Sequence, residues 1–413
     1  MMRILYLHQH FSTPEGATGT RSHAMARALA ARGHAVTMAC GQYAGAVTGL
    51  AGGFRRGRRE GPVDGFRVVE WAIPCGNAMP LRRRAGAFLR YAAQAGRLAL
   101  AEEWDLVIAS STPSSVALPA LAAWRLRGIP FLYEIRDPWP ELPRAMGIGS
   151  PPLWWALDRL ADAACRNATA VIALSDGMAE TARAHGARVI AVLPNGCDLD
   201  LFGPGIAPWR PPGLPPDGML AVYAGAQGPA NGLGLLLDAA ALLQAARAPL
   251  TLVLVGEGAE TPRLRARAET LGLRNLRFLA PLPKRRLAAL LAGADIGLQC
   301  LAPVPEFAEL TAPNKLMDYL AAGLPVVANL GGAAARLLAG GRHGPVGIAV
   351  APADPAALAE ALGALARDPA RRRAMGRAAR QLAERRWDRR LLAARFCELA
   401  EAAAPPRPRL ALA

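Results

Sequence analysis

The 413-residue sequence has few cysteines, very little lysine and no long uninterrupted apolar run. Its six cysteines are scattered without a C-x-x-C pair, which argues against a disulfide framework or a zinc site and fits a reducing cytosol. Two uncharged stretches, 106–124 and 219–237, approach membrane-spanning length, but proline, glycine and serine interrupt both. We therefore expect strand–loop–helix units there and no transmembrane segment. The N-terminus is typical of a first strand rather than a signal peptide, because histidines break its short apolar run.

Lys284 and Lys315 are the only lysines, and arginine supplies the rest of the positive charge. Lysine and arginine together number 48 against 32 acidic residues, which gives a formal net charge of +16. This excess favours anionic partners such as nucleic acids, acidic membrane surfaces or phosphorylated substrates. Because lysine is a compact point charge and arginine a flat fork, the two lysines are candidates for a specific anion site.

The arginines are concentrated between residues 49 and 97, where ten of them face three acidic residues. One group spans Arg55–Arg59. A second group spans Arg82–Arg97 and has Phe88, Leu89 and Tyr91 between its basic residues, which suits a helix lying on an anionic membrane surface. The alternative is a solvated, arginine-rich face. Nucleic acid is a weaker candidate, because no known nucleic-acid-binding module surrounds the patch.

The chain is long enough for two domains, and the order of its elements repeats. It opens with a strand at 4–7, a glycine-containing loop, a helix at 20–32 and a strand at 35–39, which is the start of a doubly wound parallel sheet. Six prolines and four glycines in 203–218 predict a linker, after which the same rhythm restarts. The predicted fold class is therefore α/β, with two tandem Rossmann-like domains facing across a cleft. The predicted parts are domain 1–202, linker 203–218, domain 219–384, a helix at 385–402 and a flexible tail at 403–413.

Residues 311–332 predict a loop, a helix, a tight turn, a short strand and a glycine-rich loop. Pro313 suits the first helical turn, and Lys315, Asp318 and Tyr319 share one face at i, i+3 and i+4. A helix N-terminus beside a lysine can bind phosphate, and a carboxylate one turn further on can accept two ribose hydroxyl protons. An ordinary amphipathic helix is the alternative interpretation.

In doubly wound sheets, ligands bind in the loops at the carboxyl ends of the strands. Such loops in the second domain are 225–228, 256–258, 306–315 and 330–332, whose glycines let backbone N–H groups approach a diphosphate. In the first domain, the charged loop Glu134–Glu141 follows a strand and suits a substrate contact. His8, His10 and His23, and the D-x-D at Asp198 and Asp200, lack further ligand spacing, so we predict no metal site.

Three motifs resemble glycosyltransferase family 4 of the GT-B fold: PNGCDLDLF (194–202), LVLVGEGAETPRL (252–264) and PNKLMDYLAAGLPVV (313–327). With YEIRDPWPE (133–141) and YAGAQGPANGL (223–233), the chain is most similar to the branch that builds bacterial surface polysaccharides and O-antigens. The resemblance spans nearly the whole chain. It implies transfer of a sugar from a nucleoside diphosphate (NDP) sugar to an acceptor hydroxyl, with retained anomeric configuration and without a metal. It also implies that the terminal helix packs back on the first domain.

The resemblance assigns the sugar donor mostly to the C-terminal domain and the acceptor mostly to the N-terminal one. The implied donor-binding residues are Gly225, Gln227, Asn231, Gly256, Glu257, Lys284, Glu309, Asn314, Lys315 and Asp318. The implied acceptor-binding residues are Gly16, Gly19, Glu134, Trp139 and Glu141. The implied catalytic residues are Arg136, Asp137 and Lys315.

The sequence departs from the family pattern at several of these positions. Leu310 stands where many members carry the first Glu of a Glu-x(7)-Glu motif, so Glu309 or Glu306 would have to contact the donor sugar. Gln227 and Asn231 replace an Arg and a Lys that often hold the diphosphate. Arg136 replaces a His that often precedes Asp137.

Other functions fit the same fold. A nucleotide-sugar epimerase of GT-B architecture would need no acceptor, and a basic anion- or lipid-binding protein would need no catalysis. A dinucleotide-dependent dehydrogenase fits less well, since no G-x-G-x-x-G follows a strand. The prediction is a glycosyltransferase without a cofactor, acting on a lipid-linked or glycan acceptor, and not on nucleic acid. It is expected in the cytoplasm, with peripheral binding to the inner face of the cell membrane through Arg55–Arg59 and Arg82–Arg97.

Overall fold

The computed structural model describes residues 1–77, 79–311, 314–340 and 344–404. The chain forms two compact units. Unit 1 comprises residues 1–194 and the described residues from Arg390 onward, and unit 2 comprises Asn195–Arg389. The predictions for Pro313 and for residues 405–413 of the tail lie outside the described residues.

Unit 1 is built on an eight-stranded sheet with the order β3-β4-β2-β1-β5-β6-β7-β8, in which only β3 runs antiparallel to its neighbour. Its strands are β1 (Arg3–Leu7), β2 (Ala35–Tyr43), β3 (Arg58–Val63), β4 (Phe66–Cys75), β5 (Leu106–Ser110), β6 (Phe131–Ile135), β7 (Ala170–Ala173) and β8 (Ile190–Val192). Its first six helices are α1 (Arg21–Ala31), α2 (Leu81–Ala101), α3 (Ala117–Arg127), α4 (Glu141–Ala145), α5 (Pro151–Asn167) and α6 (Asp176–Ala184). The central strands β1, β5 and β6 are almost wholly apolar and buried, as expected for parallel strands covered on both faces.

Unit 2 has a six-stranded parallel sheet with the order β11-β10-β9-β12-β13-β14. Its strands are β9 (Met219–Ala224), β10 (Leu250–Val255), β11 (Leu276–Leu279), β12 (Ile296–Gln299), β13 (Val326–Ala328) and β14 (Gly347–Ala349). Its helices are α7 (Gly234–Ala245), α8 (Thr261–Thr270), α9 (Lys284–Ala292), α10 (Phe307–Leu310), α11 (Asn314–Ala321), α12 (Gly332–Leu338), α13 (Pro355–Arg367) and α14 (Pro369–Arg386). The prediction of two tandem Rossmann-like sheets is confirmed.

The proline-rich segment 203–218 packs inside unit 2 and is not a linker. Trp209 N donates to Ala289 O at 2.9 Å, Arg286 lies over the Trp209 ring, and Leu214 is buried. The division between the units falls at Pro194/Asn195 instead, eight residues before the predicted end of the first domain. Proline and glycine content indicates irregular backbone, but it does not show whether that backbone is packed.

The last helix, α15 (Arg389–Ala403), packs on unit 1, where we expected the terminal helix. Its Phe396 ring stacks on Tyr6 of β1 with centroids 5.9 Å apart, and Glu401 accepts from Arg32 at 2.9 Å. The long helical tail is broken before α15, where Cys197 pairs with Asp388 in an isolated β-bridge.

Part of the arginine-rich region is a hairpin that the sequence analysis missed. Strands β3 and β4 pair antiparallel at the sheet edge, and Arg59 forms an ion pair with the buried Glu70 at 2.8 Å. Arg58 pairs with Glu60 in the same way, so these two arginines of the 55–59 group are bound to carboxylates. Arg55 and Arg56 are exposed.

The second arginine group lies on α2, an amphipathic helix. Phe88 and Tyr91, predicted to face a membrane, belong to the core, and the Tyr91 hydroxyl donates to Ala39 O at 2.7 Å. The prediction is therefore wrong for these two rings, because the helical period turns them toward the sheet. Leu89 stays 61% exposed beside exposed arginines. Within the described ranges, no helix is both long enough and apolar enough to cross a bilayer.

Candidate active site

The strand order of unit 2 reverses between β9 and β12, which is the position where doubly wound sheets bind ligands. Lys315, in the first turn of α11, points to the carboxyl end of β9. Its Nζ donates to the Tyr223 hydroxyl and to Asn231 Oδ1, both at 3.2 Å, and lies 4.6 Å from the Tyr223 ring centroid. A Cβ added to Gly225 would come within 2.8 Å of the Lys315 side chain. The structure thus brings Lys315, Asn231 and Gly225 together, three of the predicted donor-binding residues.

The ammonium of Lys315 has two neutral partners, and no carboxylate among the described residues pairs with it. Burial lowers its pKa to about 8, because leaving water disfavours the charged form. A half-buried cation with incompletely compensated charge is suited to an anionic ligand such as a diphosphate.

The loops after β9 and β10 are packed directly against each other. Gly225 N donates to Val255 O at 2.9 Å, and a Cβ at Gly256 would meet Gly225 O at 2.1 Å. Gln227 is fully buried, where its Nε2 donates to Gly256 O and its Oε1 accepts from Thr261, both at 2.9 Å. The side chain of Gln227 therefore joins the two loops, which opposes its predicted contact with the donor, and Gly256 is required by loop packing.

Lys284 and Asp318 form a buried ion pair at 2.5 Å, with side chains 11% and 5% exposed. Lys284 was predicted to contact the diphosphate and Asp318 the ribose hydroxyls. In this structure each charge is engaged by the other inside unit 2, and both predicted donor contacts stay predictions. The ring of Phe202 lies beneath the ammonium of Lys284, with its centroid 5.7 Å from Nζ. Burial raises the pKa of the Cys197 thiol, and the nearby Asp318 carboxylate raises it further. The PNGCDLDLF motif therefore packs around this pair.

Glu309 of α10 forms a two-pronged ion pair with Arg336 of α12, at 2.9 and 2.8 Å. Its carboxylate is therefore occupied, which opposes its predicted contact with the donor sugar. Glu257 is exposed and Asn314 is half-buried at the start of α11. Their predicted roles stay predictions.

The strand order of unit 1 reverses between β1 and β5, and two of the three predicted catalytic residues, Arg136 and Asp137, follow the neighbouring strand β6. Arg136 follows β6, and its Nη1 lies 2.8 Å from His8 Nε2. His8 Nδ1 lies 2.7 Å from the Ser22 hydroxyl. Burial, followed by Arg136, holds the pKa of His8 well below its usual range, so His8 is a neutral imidazole that accepts from Arg136.

Glu134 cannot contact an acceptor as predicted, since it is completely buried at the end of β6. Its Oε1 accepts from Arg21 Nε at 2.8 Å and its Oε2 from Ser110 at 2.5 Å. Arg21 also donates to the carbonyls of Leu193 and Pro194. This network fixes the loop ends of unit 1, and Arg21 keeps the pKa of Glu134 low against the effect of burial.

Asp137 is exposed and accepts from Thr112 Oγ1 at 2.6 Å. Trp139 is half-buried two residues further on. Gly16 is buried, and a Cβ there would meet Ser12 Oγ at 2.2 Å, so packing accounts for this glycine and its acceptor role stays a prediction. Gly19 is half-exposed and its acceptor role stays a prediction.

Glu141 was also predicted to contact the acceptor, but it binds His185. His185 Nε2 lies 2.8 Å from Glu141 and its Nδ1 lies 2.8 Å from Asp162. Glu141, against the effect of burial and helped by Asp162, raises the pKa of His185 to about 9. Glu141, Asp158 and His185 come close enough for one metal ion. In this structure the imidazole of His185 is held by the two carboxylates of Glu141 and Asp162.

Two family models match the chain, one in each unit. Residues 16–196 match the model of a glycosyl transferase 4-like domain, and residues 219–368 match the model of glycosyl transferases group 1. The chain belongs to the family 4 type of GT-B glycosyltransferases.

Two curated relatives of this glycosyltransferase share about a third of their aligned residues with it. D-inositol 3-phosphate glycosyltransferase 2 of Catenulispora acidiphila is 34% identical over 264 residues, which cover 59% of this chain and 58% of the relative. Phosphatidyl-myo-inositol mannosyltransferase of Mycobacterium leprae is 32% identical over 215 residues, covering 51% and 53%. The chain thus spans somewhat more than half the length of these relatives.

Solved structures extend the likeness to almost the whole chain. Sucrose-phosphate synthase from Thermosynechococcus elongatus has a TM-score of 0.75 at 19% identity, covering 97% of this chain and 99% of the other. Anabaena HepE in complex with UDP-glucose has a TM-score of 0.66 at 19% identity, covering 97% and 100%. At this level of identity the likeness shows the fold.

Sequence analysis of this glycosyltransferase missed Tyr223 and Arg21. Tyr223 could have been found, because it lies at the end of a strand, directly before a predicted ligand loop. Arg21 carried no such signal among 48 basic residues.

Proposed function

We propose that this chain is a metal-independent, retaining glycosyltransferase. It transfers a sugar from an NDP-sugar to a lipid-linked or glycan acceptor in the synthesis of a cell-envelope polysaccharide. Lys315 is the observation that carries the proposal, because a half-buried ammonium at the switch point of unit 2 suits the diphosphate. Charge that develops on the departing nucleoside diphosphate would be met by this fixed cation in place of a divalent ion.

Names of similar proteins support the substrate classes of this proposal. HepE was solved with UDP-glucose, which is a nucleotide sugar. The relatives named for D-inositol 3-phosphate and for phosphatidyl-myo-inositol point to acceptors that carry a phosphate, free or in a lipid. The O-antigen branch remains part of the proposal and rests on the sequence motifs.

Peripheral binding to an anionic membrane is part of the same proposal. Leu81 and Leu89 on α2 are 45% and 61% exposed, and exposed arginines 82, 83, 90 and 97 lie on the same helix. A helix with basic and leucine side chains on its outer face can lie at the surface of an anionic bilayer.

A melting-temperature screen against ADP, CDP, GDP, UDP and dTDP tests the sugar-donor site. A ligand that binds only the native state stabilises it, by about 2.7 kcal/mol at one hundred times its Kd. We expect one nucleotide to raise the melting temperature of the wild type and to raise that of Lys315→Ala much less. Failure of every nucleotide to raise it would refute the proposal.

The NDP-sugar of the selected base then tests catalysis. Incubation with a membrane extract should move labelled sugar into a glycolipid or glycan, and NMR of the product should show the donor's anomeric configuration. Release of free epimerised sugar without an acceptor would identify the epimerase instead. Binding without turnover would identify a binding protein.

A further inference from the structure

His10, Tyr43, Arg84 and Arg136 form a polar cluster beside the switch point of unit 1, and the space between these side chains is called the His10 pocket. His10 follows β1, and its ring centroid lies 4.1 Å from that of Tyr43 and 6.2 Å from that of Phe88. His10 and Tyr43 are half-buried, so the pocket is open to solvent on one side. Ligands of doubly wound sheets bind at this kind of position.

Two half-buried arginines flank His10. Arg136 donates to the neutral His8, and the Arg84 guanidinium carbon lies 5.8 Å from the Phe88 centroid. Neither arginine forms an ion pair with a carboxylate within the part of the chain that the structure describes, and the buried Nε of Arg84 has no hydrogen-bond partner there. The pocket therefore holds two guanidinium groups with unused donors.

The N-terminus of α2 adds to the positive field of these arginines, and the imidazole between them carries no charge. Burial and then Arg136 and Arg84 lower the pKa of His10 to about 3, so the imidazole between them stays neutral. Arg84 lies in the first turn of α2, whose N-terminal N–H groups have no side-chain cap. Asp137 follows Arg136 directly in the chain, and it helps to raise the pKa of Tyr43, after burial.

We propose that this pocket binds the phosphate of a phosphate-bearing acceptor, with Arg84 and Arg136 donating to its oxygens and Asp137 facing the acceptor hydroxyl. Planar guanidinium forks match phosphate oxygens and form charge-assisted hydrogen bonds. The acceptor role rests on the proposed function, whereas phosphate binding by the pocket does not. The phosphate could belong to a soluble ester or to a lipid head group.

Histidine NMR can detect binding at this pocket specifically. The chain has only six histidines, so selective ¹³C labelling of the imidazoles gives few signals, and His10→Gln assigns the one of interest. We expect glycerol 3-phosphate to shift the His10 signal saturably and glycerol to leave it unchanged. The signal of His34, which pairs with Glu401, should not move. If the His10 signal stays unchanged at glycerol 3-phosphate concentrations that saturate binding elsewhere on the protein, the proposal is overturned.

Variants separate the pocket from general attraction to a basic protein. Loss of one charge-assisted hydrogen bond should weaken glycerol 3-phosphate binding about 10- to 100-fold in Arg84→Gln and in Arg136→Gln. Arg125→Gln removes the same charge from an exposed position of unit 1 and should leave affinity unchanged. Equal losses in all three variants would mean that net charge, and not the pocket, attracts phosphate.

A second pair of ligands distinguishes the two sources of phosphate. Farnesyl phosphate is presented in detergent micelles, and farnesol in the same micelles is the control without a phosphate. Tighter binding of farnesyl phosphate than of glycerol 3-phosphate would assign the site to a lipid head group. The reverse order would assign it to a soluble ester. Nucleotide-induced melting shifts are measured on the same variants and should be retained. If no nucleotide binds the wild type while His10 still responds, the proposed function fails and the phosphate pocket stands.

Discussion

The ammonium of Lys284 lies 2.5 Å from Oδ2 of Asp318, and both groups are withdrawn from solvent. The pair joins the first residue of α9 to the middle of α11 and has the Phe202 ring beneath it. A buried charge is tolerated only while its partner remains, so this pair should bind the two helices to each other and fix the start of the PNKLMDYL helix.

We predict that Lys284→Ala destabilises unit 2 by roughly 3–5 kcal/mol, because it leaves the Asp318 carboxylate buried without a partner. Replacing both residues, as Lys284→Met with Asp318→Leu, should recover most of that loss. Hydrogen exchange of α11 and β12 measures the change within unit 2. Arg373→Ala, at an exposed arginine of α14, serves as the control and should change little. A single variant as stable as the wild type would show that the pair is not needed.

Lys315→Ala should lower the rate of sugar transfer by about 10²–10³, by analogy with removing one preorganised oxyanion donor. Its effect should fall mainly on kcat, because charge on the diphosphate grows as the leaving group departs. Lys315→Arg keeps the charge and should retain more activity than the alanine variant. Initial rates with saturating NDP-sugar provide the measurement. A loss below tenfold in Lys315→Ala would remove Lys315 from the catalytic site.

The affinity for the nucleoside diphosphate should fall as pH rises above about 8. Burial lowers the pKa of Lys315 to that value, so the ammonium is present below it and lost above it. The decrease cannot exceed tenfold per pH unit, since one proton is involved. Lys315→Arg stays charged throughout this range and should show a flat profile. Titrations from pH 6.5 to 9.5 compare the two proteins, and identical profiles would contradict the assignment.

The parallel sheets could be predicted from the sequence because their central strands are short apolar runs that alternate with helices. Strand β1 was predicted at 4–7 and runs over Arg3–Leu7, and the helix predicted at 20–32 runs over Arg21–Ala31. The β3–β4 hairpin was missed because its strands carry arginines, glycine and proline, which obscure a period of two.

Site residues were harder to predict, because their chemistry depends on partners distant in sequence. Glu134 looks like a loop carboxylate until Arg21 is placed beside it, 113 residues away. Glu141 is likewise engaged by His185 and Gln227 by Thr261. The position of Lys315 in the first turn of a helix could be predicted, because the signal for that helix is local in the sequence, whereas its contact with a diphosphate stays a prediction.

His185 should stabilise unit 1 at neutral pH and lose this effect in alkali. Glu141 and Asp162 raise its pKa to about 9, above the usual 6.5 of an unfolded chain. The stabilisation is therefore complete below pH 6.5 and disappears as pH rises through 9. The difference in unfolding free energy between wild type and His185→Gln should shrink by about 1–3 kcal/mol over that window. Urea titrations at several pH values measure this difference in unfolding free energy. Titration of the groups that both proteins share contributes equally to each and drops out of the difference. A constant difference would show that the ion pairs add nothing.

Replacing Arg82 and Arg83 by Gln should release the protein from anionic vesicles. A basic residue near such a surface contributes about 1 kcal/mol, so the double variant should bind roughly 30-fold more weakly. Arg84 is excluded from this set because it lies over Phe88. Leu89→Ser, which removes an exposed apolar contact, should weaken binding without changing its salt dependence. Cosedimentation with phosphatidylglycerol-containing and neutral vesicles measures partitioning. The control replaces Arg371 and Arg373 of α14 by Gln, which removes the same charge. If this control loses as much vesicle binding as the α2 variant, net charge alone attracts the protein and α2 has no special role.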